Sequence, residues 1–163
     1  MDIAFSEAEK ALSLEEVPIG CAILYQGHCL EKAHNLTNTR KDPLAHAEMI
    51  ALARIPPHLY PEIELFITCE PCIMCCALIH KLGVQKVTFA CTNTRFGGIS
   101  VFSVSKLFPN LEIKITQDIS QAKKSLDLLK TFYQLENTRA PPTKRKFKPQ
   151  IAKKICNVPI NSH

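Results

Sequence analysis

No apolar run among the 163 residues approaches the ~20 that a membrane-spanning helix needs, so a helical transmembrane protein is excluded. The N-terminus, Met1-Asp2-Ile3-Ala4-Phe5-Ser6-Glu7, lacks a basic start followed by an apolar stretch, and no secretory signal is expected. There is no internal repeat. Nor is apolar material scarce: 46% apolar and 21% charged residues suffice for a core, and the length suits one domain. Acidic residues are missing from positions 139–163, which hold seven Lys/Arg and four prolines. The preceding residues carry 13 basic and 15 acidic side chains, a net charge of −2 against +7 for the end of the chain. A near-neutral domain over 1–138 followed by a basic, proline-broken tail over 139–163 is the expected organisation. Such asymmetry points to a polyanionic partner, with a solubilising or sorting tail as the alternative.

Eight cysteines are present, and four of them (Cys69, Cys72, Cys75 and Cys76) fall within eight positions. Without an export signal, such crowding suits a metal site in a reducing compartment better than a disulfide framework. An intracellular protein, in cytoplasm or nucleus, is expected.

Phe5, Ala8 and Leu12 recur at helical spacing, and Pro18 ends that pattern. Residues 19–25 and 28–34 flank Gln26-Gly27 and predict a hairpin, and the near-continuous apolar run suggests a strand covered on both faces. Asp42-Pro43 predicts a helix start, with the helix running through His46 and Glu48 to about Arg54 before Pro56-Pro57 stops it. Residues 64–68 predict a strand, and Pro71 opens a helix that Gly83 closes. Residues 84–91 and 111–116 predict two further strands. A final helix carries Ile119, Ala122, Leu126, Leu129 and Tyr133 on one stripe. Alternating strands and helices imply an α/β fold, a three-layer α/β/α sandwich around a five-stranded mixed sheet.

Two short patterns carry chemistry: His46-Ala47-Glu48, and Pro71-Cys72-Ile73-Met74-Cys75, each at a predicted helix start. Cysteines at i and i+3 put both sulfurs on one side, and a helix N-terminus favours the thiolates that bind metal. His46 would be a third ligand. Three protein ligands leave zinc an open position for water, the catalytic rather than the structural arrangement. Glu48, two residues from His46, is placed to move protons without binding the metal. The structural alternative is a four-cysteine zinc site recruiting Cys69 or Cys76. Cys76 is turned about 100° from Cys75 on a helix, and Cys69 reads as a small buried residue.

His-x-Glu followed by Pro-Cys-x-x-Cys is the signature of zinc deaminases acting on nucleobases, and over residues 1–137 the chain resembles the cytidine/deoxycytidylate deaminase superfamily. Within it the chain is most similar to the tRNA-specific adenosine deaminases. The resemblance rests on Glu16-Val17-Pro18-Ile19-Gly20, Asn35, Asp42-Pro43-Leu44-Ala45-His46-Ala47-Glu48 and Thr68-Cys69-Glu70-Pro71-Cys72 through Cys75. Asn93-Thr94-Arg95-Phe96-Gly97-Gly98 resembles the catalytic subunit of the eukaryotic heterodimeric wobble deaminase. After Gly98 the chain departs from the family, with Ile99-Ser100-Val101-Phe102 where a small-residue run is usual.

The resemblance implies hydrolysis of adenosine to inosine at wobble position 34 of tRNA. It implies Zn2+ on His46, Cys72 and Cys75, with Glu48 as catalytic proton carrier and Asn35, Asn93 and Arg95 at the substrate. It also implies a second deaminase-fold subunit as partner, a homodimer being the alternative. The tail residues Lys144, Arg145, Lys146 and Lys148 are expected to bind tRNA phosphates, with Phe147 among them to stack on a base. Rival functions are a nucleoside or nucleotide cytidine deaminase and a non-enzymatic zinc module that binds RNA. The presence of Glu48 weighs against the second, because a structural zinc needs no proton shuttle.

Overall fold

The computed structural model describes residues 1–109, 111–136 and 143. The expected hairpin forms as β1 (Gly20–Tyr25) and β2 (His28–His34), antiparallel with Gly20 opposite His34 and Tyr25 opposite His28. Of the two, only β1 is covered on both faces. β2 is an edge strand with His28, Cys29 and Leu30 exposed. β3 (Glu64–Cys69) pairs antiparallel with β1, while β4 (Lys86–Cys91) and β5 (Lys114–Gln117) add in parallel. The sheet order is β2-β1-β3-β4-β5, the five-stranded mixed sheet expected.

Helices cover both faces. One face of the sheet gives Cys21 and Ile23 of β1, Leu65 and Ile67 of β3, and Val87 and Phe89 of β4 to the main core. There they meet Ile50, Ala51 and Leu52 of α3 (Ala47–Leu52) and Ile79 of α4 (Ile73–Leu82). The opposite face meets α1 (Asp2–Ser13), which buries Ala4, Phe5, Ala8 and Ala11. The approach is so close that a Cβ on Gly20 would collide with the carbonyl oxygen of Ala4, so only glycine fits there. α5 (Ala122–Gln134) lies beside α1: Lys124 pairs with Glu9 at 3.1 Å and sits 4.5 Å over the Phe5 ring.

Three expectations are corrected. The helix predicted from Asp42 begins only at Ala47, and residues 42–46 form a turn. Asp42 Oδ1 accepts from the N–H of Leu44 at 2.8 Å, so the aspartate caps a turn rather than a helix. An unpredicted short helix, α2 (Thr37–Arg40), precedes it. The last strand begins at Lys114 rather than 111. The stripe predicted on the final helix is not its buried face: Ile119 lies ahead of α5 and is exposed, as is Leu126. The buried position is Ser125, whose hydroxyl donates to the Thr68 carbonyl at 2.5 Å. A polar anchor there outranks the periodicity of leucines.

The chain divides into two compact units, Met1–Phe132 and Tyr133–His163. Every element named above except the end of α5 belongs to the first. Apart from residue 143, the tail expected over 139–163, with Lys144, Arg145, Lys146 and Lys148, lies outside the described residues. Among the described residues no helix is long and apolar enough to cross a membrane.

Candidate metal centre and active site

Two helix starts converge on one point. His46 is the residue preceding α3, in extended conformation (φ −78°, ψ 151°), and Cys72 precedes α4 in the same way (φ −65°, ψ 167°). Cys72 is thus the cap of α4 rather than a member of its first turn, and Cys75 lies one turn in. His46 Nδ1 sits 3.7 Å from Cys72 Sγ and 3.5 Å from Cys75 Sγ, with all three atoms within 4.8 Å of one another. Zinc bonds of about 2.0–2.3 Å in a tetrahedron put neighbouring ligand atoms about 3.3–3.8 Å apart, so this donor set fits the ion without rearrangement. Cys75 is fully buried, whereas His46 and Cys72 are half-buried and leave the fourth direction open.

The electrostatics favour a thiolate. Cys72 is pulled down to about 4, first by the hydrogen bond donated from the Cys75 thiol and then by the His46 imidazole. Cys75, as the donor in that pair, is pushed up. His46 is raised by its hydrogen bond to Cys72. A cation taking the place of these protons would relieve the crowding of donors.

Glu48 projects from the first turn of α3 and is 3% exposed. Burial pushes its carboxyl up to about 7, and its Oε2 has no hydrogen-bond partner among the described residues. A buried carboxylate oxygen left unpaired is costly, and such atoms call for a partner that arrives with a ligand. The site therefore combines three side chains that could hold a metal ion with a buried carboxyl raised to about 7.

Asn35, just after β2, is buried, and its Oδ1 accepts from the N–H of Ala47 at 2.8 Å. Its amide nitrogen is thereby turned away from Ala47. Asn93 is used differently: its Oδ1 accepts from the N–H groups of Arg95 (3.3 Å) and Phe96 (3.0 Å), closing a tight turn. Arg95 is exposed on that turn, with its guanidinium 5.4 Å from the Phe96 ring centre. The turn abuts the metal segment, since Ile73 N–H donates to the Phe96 carbonyl at 2.9 Å. Cys69 and Cys76 stand apart: Cys69 faces Cys91 across β3 and β4, and Cys76 Sγ lies 3.7 Å from His80 Nδ1.

Two buried glutamates escape sequence reasoning. Glu16 accepts from the N–H groups of Asn38 (3.0 Å) and Thr39 (2.5 Å), and so holds α2. Glu70 accepts four bonds from residues 93–100. Nothing in local spacing announces either, because their partners lie more than 20 positions away.

The family model of the cytidine and deoxycytidylate deaminase zinc-binding region matches residues 1–91. tRNA-specific adenosine deaminase 2 of Xenopus laevis is 37% identical over 157 residues, covering 88% of this chain and 90% of the frog protein. The tRNA-specific adenosine deaminase of Aquifex aeolicus is 33% identical over 138 residues, 82% of this chain and 91% of that protein. The subunit tad2 of the Schizosaccharomyces pombe tRNA-specific adenosine deaminase is 35% identical along 99% of this chain, which spans 43% of that relative. Among solved structures, one from studies of A-to-I editing by tRNA deaminases at the wobble position has a TM-score of 0.70 at 24% identity. It covers 79% of this chain and 97% of its own. The fold is therefore that of the deaminases, and the matched region takes in both His46 and the Cys72–Cys75 pair. The chain belongs to the zinc-binding cytidine and deoxycytidylate deaminase family, in its tRNA-specific adenosine deaminase branch.

Proposed function

We propose that this chain, with zinc held by His46, Cys72 and Cys75, hydrolyses adenosine to inosine and ammonia at wobble position 34 of tRNA. The observation that carries the reading is the buried Glu48 carboxyl, whose Oε2 has no hydrogen-bond partner among the described residues, beside three metal donors. Zinc, when bound, supplies a Lewis acid that makes water a nucleophile near neutral pH. Glu48 takes the proton of the attacking water and delivers it to N1 of adenine, which makes C6 more electrophilic. It then takes the second proton from the new C6 hydroxyl and hands it to the amine, which leaves as ammonia while the C6 carbonyl forms. A carboxyl near 7 can do both at physiological pH.

Asn35, fixed through Ala47, offers its amide N–H groups to the base. Arg95 contributes at the rim, and Asn93 contributes by shaping the turn that carries it. The reacting base comes from an anticodon loop already single-stranded, so taking it out of its stack costs little. The tail residues Lys144, Arg145, Lys146 and Lys148 hold tRNA phosphates. A second deaminase-fold subunit completes the enzyme, a reading supported by the S. pombe relative being named a subunit. A homodimer is the alternative. The enzyme works inside the cell, in cytoplasm or nucleus.

The test is to incubate zinc-loaded protein with tRNA, cytidine and deoxycytidylate side by side, with and without a second subunit, and to sequence the tRNA. Inosine at position 34 is expected. Turnover of cytidine or deoxycytidylate alone would assign the site to free nucleosides or nucleotides.

A further inference from the structure

We propose that Glu70 is a positioning residue, holding the loop 93–100 against the Cys72 segment and thereby setting how tightly RNA outside the metal site is gripped. The proposal rests on the tRNA reading above.

Glu70 sits between β3 and Pro71 and is 2% exposed. Its Oε2 accepts from the N–H of Asn93 (2.8 Å) and the hydroxyl of Ser100 (2.7 Å). Its Oε1 accepts from the N–H groups of Ile99 (3.0 Å) and Ser100 (2.6 Å). All four donors come from one loop, and the carboxylate grips both ends of it. A buried charge is tolerated only when its lone pairs are filled this way. An apolar residue would leave three backbone N–H groups without their acceptor, and glutamine would set its NH2 group against the N–H donors at one of the two oxygen positions.

Two backbone hydrogen bonds join the same loop to the metal segment, Ile73 N–H to the Phe96 carbonyl and Gly98 N–H to the Pro71 carbonyl (3.0 Å), and together they form the antiparallel bridge of Cys72 with Gly97. The fit is tight. A Cβ on Gly97 would strike Glu70 Oε1, and one on Gly98 would strike Cys76. Between the two gripped ends the loop exposes Arg95 and Phe96, a guanidinium beside a half-exposed ring. That pairing suits an unstacked base and its phosphate. The carboxylate of Glu70 is bonded to the loop and not to His46, Cys75 or Glu48, so it acts through the loop.

The test uses the zinc-loaded full chain, with its second subunit if turnover requires one. Amide hydrogen exchange of residues 93–100, zinc content and tRNA kinetics are compared for wild type, Glu70→Gln, Ser100→Ala, Arg95→Ala and Glu70→Gln with Arg95→Ala. In Glu70→Gln, faster exchange at Asn93, Ile99 and Ser100 is expected with zinc unchanged. KM for tRNA rises about tenfold, since a charge-assisted buried bond is removed, and adding Arg95→Ala costs little more. Ser100→Ala, which gives up one of four bonds, moves the same way but less and guards against a misfolded variant. Unchanged exchange in 93–100, or penalties for Glu70→Gln and Arg95→Ala that multiply in full, would overturn the proposal. Absence of wild-type activity on tRNA would sink the tRNA reading instead, while exchange would still report on Glu70.

Discussion

Asn35 Oδ1 accepts a 2.8 Å hydrogen bond from the backbone N–H of Ala47, the residue between His46 and Glu48. One side chain thus fixes the start of the helix flanked by His46 and carrying Glu48, the proton carrier proposed above. The same bond leaves its amide nitrogen free for the base contact proposed above. Asn35→Asp keeps the acceptor for Ala47 but loses the two amide donors. Stability and zinc content are expected to stay near wild type while kcat/KM falls about 100-fold, as for a buried donor withdrawn from a substrate. Asn35→Ala should in addition cost about 1–3 kcal/mol, because the Ala47 N–H is left unpaired. Full activity of the aspartate variant would reduce Asn35 to a cap.

Cys72→Ser removes the most acidic of the three donors. Dialysed protein should hold far less than one zinc per chain by metal analysis, and chelator-treated wild type should melt at lower temperature than the zinc form. Full zinc occupancy in the variant would mean that other residues hold the ion.

Glu7 is buried against Lys10 at 2.7 Å, Lys32 at 3.8 Å and His34 at 2.7 Å. Burial alone would raise its carboxyl, but the hydrogen bonds and charges of Lys10 and His34 outweigh that and hold it below 4.5. A carboxyl lowered in the folded state stabilises fully above its ordinary value and loses that contribution as pH falls through the folded one. Wild type should therefore exceed Glu7→Gln in stability by about 2 kcal/mol at pH 7, with the gap closing below about pH 4. Urea denaturation at neutral and at acid pH measures it. A gap independent of pH would mean that packing, not charge, makes Glu7 matter.

Removing residues 139–163 takes away seven positive charges from a core of net −2. Affinity for tRNA should fall, and the dependence of log affinity on log salt should flatten by about 0.9 or less for each phosphate no longer neutralised. Zinc content should not change. Equal affinity and slope in the truncated chain would leave the tail a role in sorting or solubility.

The metal site is legible in the sequence because its grammar is local: Cys72 and Cys75 are three apart, His46 and Glu48 are two apart, and each pair sits at a helix start. The β1–β2 hairpin is legible for the same reason, with the apolar run 19–25 followed directly by the turn residues Gln26-Gly27. What escapes such reading depends on distant partners. Asp42-Pro43 reads as a helix start, yet the chain uses Asp42 in a turn so that His46 can precede α3 in extended form. Glu16 and Glu70 look like ordinary acids until the fold brings Thr39 and Ser100 to them. Ser125 breaks the leucine stripe of the last helix because its hydroxyl reaches Thr68 across the layers.

Everything proposed for the chemistry turns on Glu48 moving the protons of deamination at position 34 without binding the metal. The decisive experiment sequences tRNA for A-to-I change after incubation with zinc-loaded wild type and Glu48→Ala, with zinc content measured on the same samples. Inosine is expected with wild type, and a rate lower by about 100- to 10,000-fold with Glu48→Ala at equal zinc content. Loss of zinc from Glu48→Ala, or turnover at the wild-type rate, would contradict that role.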